Sequence, residues 1–186
     1  VDMPAGIAHF IVMPHLPDFY RRYPDIYLMI GVSDRQVDLI QEGVDCVIRM
    51  GELNNSSLVA RPLGRFRWVT CASPDYLREY GVPSSPEALS KHRAVHYFSG
   101  QARRADEFRF VRHVNETGLY IKMCLAGFGL AQLAENIVAD HLQEGRLVEV
   151  LTDWQPPPVP VTLLYPHQRF LSPAVRAFAE WMSEVV

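Results

Sequence analysis

The chain has 186 residues, of which 48% are hydrophobic and 21% charged, a composition typical of a soluble chain that forms one domain or two small lobes. It contains no apolar run of about 18 residues and does not open on a charged and then apolar leader, so we expect no membrane span, no signal peptide and a cytoplasmic location. The formal net charge of −3 argues against a surface that grips nucleic-acid phosphates by itself.

The first quarter of the chain predicts alternating strands and helices. A short strand over residues 1–4 precedes a helix over 5–23, and a strand over 26–32 follows. Pro14 and Pro17 each remove a backbone donor from the helix, so they should kink or divide it.

The next stretch carries the clearest start and stop signals. Ser33 and Gln36 form a capping-box pattern that begins a helix, and Gly43 ends it. An apolar strand over 45–50 then ends at Gly51. The order β, α, β, α, β predicts a parallel sheet with crossover helices, and ligands bind at the carboxyl edge of such sheets.

Serine followed by proline occurs three times in the rest of the chain. The serine supplies a helix cap and the proline lacks the donor that would be unpaired, so we expect helices to begin near Pro74, Pro86 and Pro173. The other predicted elements are two strands around Gly64 (58–63 and 66–72), strands over 94–98, 129–133, 147–150 and 161–165, helices over 116–126 and up to residue 143, a stiff proline-rich connector over 154–160, and a closing helix over 173–185.

Several blocks of the sequence occur in the same order in one known family. The blocks are FYRRYPDIYLMIGVSDR (19–35), VDLIQEGVDCVIRMGELNNSSLVARPLG (37–64), VTCASPDYLREYGVP (69–83), NETGLYIKMCLAGFGLA (115–131) and LSPAVRAFAEWM (171–182). Together they closely resemble the effector-binding domain of LysR-type transcriptional regulators. Only the stretch around 99–114 matches poorly.

The resemblance implies an α/β fold of the type 2 periplasmic-binding-protein kind, with two Rossmann-like lobes joined by two crossing strands. Lobe I would comprise 1–70 and 161–186, and lobe II 71–160. The crossing strands would lie at 69–72 and 160–164.

The function implied by the resemblance is effector sensing and dimerisation in a bacterial transcription regulator, with a small metabolite bound between the lobes. The family carries its winged helix-turn-helix N-terminal to this domain, so we expect promoter DNA to be bound only by a segment absent from this chain. We expect a homodimer, and a higher oligomer for the full-length protein, with the dimer surface on the exposed apolar residues of the helices over 5–23 and 117–126. No cofactor, metal or membrane partner is implied.

Two other classes of protein are weighed against this reading. An extracytoplasmic solute-binding protein of the same fold is the alternative, although unpaired cysteines count against export. An enzyme is not expected, since the sequence contains no G-x-S-x-G, P-loop or dinucleotide-binding motif.

Helix starts offer unpaired backbone N–H groups to an anion, and four places qualify: residues 4–6, Ser33, Ser73 and residues 115–117. Matched to the family, the cleft-facing set is Pro4, Ala5, Ser33, Met50, Gly51, Tyr97, Phe98, Ser99, Asn115, Glu116 and Thr117. The serines are equally well explained as simple helix caps, and the two aromatic residues as strand core. Because Glu116 would repel an anion, a neutral or cationic effector also fits.

The cysteines and histidines predict no metal site. Cys46, Cys71 and Cys124 lie far apart without a C-x-x-C pair, so we expect buried free thiols in a reducing compartment. His92 and His96 are four residues apart, but a strand over 94–98 would not bring their rings together.

The run FRFVRHVNETGLY is shorter than the family pattern, which has an extra hairpin or strand there. Either this member has lost the hairpin, or residues near Arg112 and His113 are missing from the sequence. We favour the second explanation, because so short a run cannot leave one strand, turn and enter another.

Overall fold

The computed structural model describes residues 1–33, 39, 42–53, 58–98, 111–167 and 171–186. The chain forms two compact units, and the division between them lies at Phe66/Arg67 and again at Pro158/Val159. The first unit comprises Val1–Phe66 and Val159–Val186, and the second comprises Arg67–Pro158. No helix of the described residues is both long and apolar enough to cross a membrane.

The first unit is built on a five-stranded sheet whose strands are β1 (Asp2–Met3), β2 (Gly31–Val32), β3 (Val47–Met50), β4 (Leu58–Phe66) and β10 (Val159–Pro166). Their order across the sheet is β2-β1-β3-β10-β4. β1 pairs in parallel with both β2 and β3, whereas β10 is antiparallel to β3 and β4. The parallel core predicted from the alternation of strands and helices is therefore present in β1, β2 and β3.

The helix expected over 5–23 changes its pitch instead of running as one α-helix. It consists of α1 (Ala5–Ile7), a π-helical segment (Ala8–Val12) and α2 (Met13–Arg22), with Pro17 inside α2. The π segment lies just ahead of Pro14, which cannot donate a backbone hydrogen bond to the preceding turn.

The core of the first unit joins this helix to α6 (Pro173–Val185), whose bounds agree with the sequence prediction. Phe19 lies with its ring centroid 5.0 Å from that of Trp181 and 6.0 Å from that of Phe178, and all three side chains are buried. Ser172 accepts a hydrogen bond from the backbone N–H of Val175, which is the predicted cap. These buried rings pack α2 against α6.

Two strand predictions in the first unit are wrong. Only Gly31 and Val32 of the expected strand 26–32 pair with β1, because β1 itself has only two residues. The expected break at Gly64 does not occur, since β4 runs on to Phe66 and its pairing with β10 shifts register between Val161 and Thr162. Gly64 thus lies beside a bulge, where glycine also leaves room for Val186.

The strands described in the second unit are β5 (Trp68–Ala72), β6 (Ala94–Tyr97), β7 (Val111–Val114), β8 (Ala131–Ala134) and β9 (Val148–Val150). β5 lies between β8 and β9, antiparallel to both, while β6 and β7 form a parallel pair. A parallel bridge between Ala94 of β6 and Leu130, just before β8, links the two sheets. The helices are α3 (Pro74–Tyr80), a 3-10 helix (Pro86–Lys91), α4 (Thr117–Leu125) and α5 (Glu135–Gln143).

The predicted helix signals of the second unit are confirmed in part. Ser73 accepts a hydrogen bond from the backbone N–H of Tyr76 and so caps α3. Ser85 makes no such capping bond, and the segment after it is a 3-10 helix instead of an α-helix. The helix α4 ends at Leu125, and Gly127 two residues later has a φ of 76°, the left-handed conformation that glycine readily adopts after a helix C-terminus.

Candidate functional site

Three parallel strands of the first unit end side by side, and the sequence-predicted residues of that unit lie at these ends. Pro4 and Ala5 follow β1, Ser33 follows β2, and Met50 with Gly51 closes β3. Because β1 is hydrogen-bonded to both neighbours in parallel, all three carboxyl ends lie on one edge of the sheet. The fold thus brings these five residues together, as a ligand site at a sheet edge requires.

Backbone hydrogen bonds fix this edge. The Ser33 N–H donates to the Met3 carbonyl at 3.0 Å, and the Gly51 N–H donates to the Pro160 carbonyl at 2.9 Å. Gly51 has a φ of 94°, which a side chain would strain. Ala5 is buried, so it offers a ligand little beyond its backbone, whereas Pro4, Ser33 and Met50 are partly exposed.

One charged pair close to this edge was not predicted from the sequence. Arg49 of β3 donates from Nη1 to Oδ1 of Asp2 at 3.3 Å, and both side chains are largely buried. The other terminal nitrogen of Arg49 is buried without a hydrogen-bond partner among the described residues. An arginine in an otherwise apolar strand was the available signal, because a buried guanidinium needs a carboxylate or other acceptor.

In the second unit, β6 and β7 also end side by side and carry the remaining candidates. The Phe98 N–H donates to the Val114 carbonyl at 2.9 Å, and the Tyr97 hydroxyl donates to the Asn115 carbonyl at 3.4 Å. Tyr97 also contacts Tyr120 of α4, with ring centroids 5.7 Å apart. The structure therefore brings Tyr97, Phe98 and Asn115 together, while Ser99 lies outside the described residues.

Glu116 turns its carboxylate onto the start of α4. Its two oxygens accept hydrogen bonds from the N–H groups of Gly118 and Leu119, both at 2.7 Å. A Cβ on residue 118 would lie 3.2 Å from one of these oxygens, so glycine makes this approach easy. Two of the backbone donors at this helix start, which was expected to bind an anion, are therefore occupied by the protein's own carboxylate.

The structure also settles the surroundings of Thr117 and Ser73. Thr117 keeps only 9% of its surface exposed, which limits what its side chain can give a ligand. Ser73 is buried and its hydroxyl accepts the Tyr76 N–H, so it serves as an ordinary helix cap. Among the four positions predicted to bind an anion, Ser73 is the one whose hydroxyl is accounted for by helix capping.

The titratable residues outside this set have other partners. His92 is buried, and its Nδ1 lies 3.1 Å from the Tyr76 hydroxyl, so burial lowers the pKa of this imidazole. His96 lies in β6, as the strand prediction required, and its ring contacts that of His113. Among the described residues, no three His, Cys, Asp or Glu side chains gather as a metal site would require. The three cysteines are free and buried, as expected.

With the two strand-end groups in place, the class of protein can be stated. Residues 1–186 match the LysR substrate binding domain family over their whole length, and the chain belongs to this family. Its relatives are transcriptional regulators rather than enzymes. Its fold is the mixed α/β, type 2 periplasmic-binding-protein-like fold of LysR regulatory domains.

Individual relatives are moderately similar. The chain is 35% identical over 199 residues to the HTH-type transcriptional regulator YhjC of Escherichia coli, covering 100% of this chain and 67% of the relative. It is 37% identical over 198 residues to an HTH-type transcriptional repressor of Pseudomonas aeruginosa, covering 100% of this chain and 62% of that protein. The chain thus spans about two thirds of the length of these relatives.

Solved structures of LysR-type regulators have the same fold as this chain. CrgA, a LysR-type transcriptional regulator from Neisseria meningitidis, has a TM-score of 0.87 at 26% identity, covering 98% of this chain and 66% of that chain. The CrgA regulatory domain has a TM-score of 0.84, also at 26% identity, and the match covers 98% of this chain and 95% of that domain. The regulatory domain of AphB in Vibrio vulnificus has a TM-score of 0.77 at 25% identity, over 97% of this chain and 95% of that domain.

Proposed function

We propose that this chain is the effector-sensing and dimerisation part of a transcription regulator, in which a small metabolite bound between the two units controls DNA binding by an N-terminal domain outside this sequence. The observation that carries the proposal is the match of the whole chain to the LysR substrate binding domain. The lobe limits of 1–70, 71–160 and 161–186 and a cytoplasmic location are part of the same proposal.

The two strand-end groups are the proposed ligand-binding residues. Those of the first unit are Pro4, Ala5, Ser33, Met50 and Gly51, and those of the second are Tyr97, Phe98, Ser99, Asn115, Glu116 and Thr117. Their position at the carboxyl ends of parallel strands supports the assignment, because ligands of open α/β sheets bind there.

The chemistry at α4 favours a neutral or cationic group on this side of the ligand. The Glu116 carboxylate already holds the first free N–H groups of the helix, and it adds a negative charge of its own. An anionic ligand group would have to displace this carboxylate and meet its charge. Exposed carbonyl and hydroxyl groups nearby suit a ligand that donates hydrogen bonds.

A metabolite screen by thermal shift tests the proposal. A ligand at about 100 times its dissociation constant should add roughly 2.7 kcal/mol to the free energy of unfolding. Asn115→Ala removes an exposed side chain of the candidate site, so it should weaken binding of any hit, whereas Asn136→Ala, exposed on α5, should not. Binding to Asn115→Ala as tight as to the unmodified chain would remove Asn115 from the site.

DNA control requires the full-length protein. A hit from the screen should change the affinity or the footprint of that protein on its own promoter, measured at one fixed salt concentration. A hit that binds this chain tightly and leaves the footprint unchanged would contradict effector control.

Exposed apolar side chains support association with a second copy. Met13 and Tyr20 lie exposed on α2 and Leu119 on α4, within the helices expected to form the dimer surface. Tyr27 and Met29 are also 93% and 87% exposed. Large apolar side chains left in water are typical of interaction surfaces.

Light scattering of this chain at micromolar concentrations should give a dimer mass. Replacing Tyr27 and Met29 by Lys should shift it toward the monomer, whereas Val82→Lys, exposed in the second unit, serves as the control. A monomer mass for the unmodified chain would contradict dimerisation.

The alternative, an extracytoplasmic solute-binding protein, is not favoured by the relatives, which are regulators. The full reading frame distinguishes the two. A helix-turn-helix upstream supports the regulator, and a signal peptide supports the binding protein.

A further inference from the structure

His96 and His113 lie directly opposite each other in the parallel pair β6–β7. Residues in this register project their side chains to the same face of a sheet, at neighbouring positions. The two imidazole rings are in contact, with centroids 5.7 Å apart and planes at 87°. They are separated by 16 residues in the sequence, so the sequence alone does not reveal this pairing.

We propose that this histidine pair binds a divalent transition-metal ion of the zinc, nickel or copper class. Imidazole is a favoured ligand of these ions, and neutral histidine binds through either ring nitrogen. With zinc–nitrogen bonds of about 2.0–2.1 Å, two imidazoles on one tetrahedral ion have ring centroids roughly 5 Å apart. The observed centroid distance of 5.7 Å is close to this separation.

Within the part of the chain that the structure describes, both imidazoles are accessible to an ion. His113 is exposed and His96 is partly exposed, whereas the neighbouring Tyr97 points to the other face, against Tyr120 of α4. Phe98 lies on the histidine side and contacts the His113 ring, with centroids 6.3 Å apart, which restricts the ring's rotation. The two imidazoles occupy two coordination positions, and water completes the shell.

A metal ion bound by the two histidines would lie near the carboxyl ends of β6 and β7. His96 lies one residue before Tyr97 and His113 lies two residues before Asn115, so an ion bound by both histidines ties β6 to β7 next to the candidate ligand-binding residues. Binding to the folded state alone should raise the thermal midpoint of the chain as the metal concentration rises.

Titration calorimetry of the tag-free chain with zinc and nickel chloride tests the proposal, with magnesium as the negative control because it prefers oxygen ligands. One ion per chain is expected. His96→Gln and His113→Gln should each weaken binding by more than about tenfold, since losing even an outer-shell partner of a metal costs about that much. His9→Gln, an exposed histidine of the first unit, should leave binding unchanged.

Several outcomes would overturn the proposal. A dissociation constant above about 1 mM would show that the two histidines form an aromatic contact and not a metal site. Binding that survives either substitution would place the ion elsewhere. If a variant fails to fold by circular dichroism, nickel-induced broadening of imidazole resonances in the unmodified chain decides, and it must include both His96 and His113.

Discussion

Arg67 and Glu135 are joined by three hydrogen bonds. The guanidinium donates from Nε and Nη2 to the two carboxylate oxygens, each at 2.7 Å, and the Glu135 N–H donates to the Arg67 carbonyl at 2.9 Å. Arg67 also binds Glu149 from Nη1 at 2.9 Å. The first residue of the second unit is thereby held to the start of α5 and to β9.

Arg67→Ala should destabilise the second unit by about 1 kcal/mol, because the bidentate pair is well aligned but partly exposed to water. Urea unfolding at constant pH measures the change. Arg78→Ala, which breaks an exposed pair with Asp75 on α3, should cost much less. Equal losses in the two variants would show that the geometry of the Arg67 cluster adds nothing.

Glu116→Ala should cost about 1 kcal/mol, the usual effect of losing a helix cap. Gly118→Ala is the informative partner, since alanine normally stabilises a helix by roughly 0.5–1 kcal/mol relative to glycine. Here the added Cβ meets the Glu116 carboxylate at 3.2–3.3 Å, so the gain should appear in full only once that carboxylate is removed. A double-mutant cycle with no coupling between the two positions would contradict the capping geometry.

Stability should fall as the pH is lowered from 7 toward 5. Burial lowers the pKa of His92 in the folded state below its unfolded value of about 6.5, so the unfolded chain binds more protons in this range. The associated stability is complete above the unfolded pKa and is lost as the pH falls toward the folded one. His92→Gln should flatten the pH dependence of the thermal midpoint. The pKa of His141 is also lowered, so His141→Gln measures the contribution of that histidine to the same pH dependence.

Gly129→Ala should destabilise by more than about 2 kcal/mol, because the new Cβ would lie 2.6 Å from the carbonyl oxygen of Arg93, a backbone atom that cannot move aside. Gly145→Ala is the matched control. It also has a positive φ, of 68°, but its Cβ would meet no atom within 4 Å, so only the backbone strain of about 1 kcal/mol remains. Comparable thermal midpoints for the two variants would contradict this prediction.

Local signals predicted much of the fold. The caps at Ser73 and Ser172 act within three residues of the chain, and the start of α6 at Pro173 followed directly from them. The parallel order of β1, β2 and β3 followed from alternating elements, and this order is what gathers the first-unit candidates at one edge.

The sequence did not predict the register between strands that are far apart in the chain. A glycine in an apolar run indicates either a turn or a bulge, and only the pairing of β4 with β10 shows that Gly64 accompanies a bulge. The Asp2–Arg49 and His96–His113 contacts depend on which strands are neighbours and on their register, which local patterns do not encode. The sequence predicted Glu116 as a candidate ligand-binding residue, but not that its carboxylate turns onto the N–H groups at the start of α4.

The three buried thiols allow the opening of each unit to be timed. Cys46 lies in the first unit and Cys71 and Cys124 in the second, and none exposes more than 3% of its surface. Burial also raises the pKa of Cys46 to about 11, so the folded chain holds almost no reactive thiolate there. Alkylation therefore proceeds only through opened molecules, and the relative labelling rates of Cys46 and Cys124 report which of the two units opens more readily.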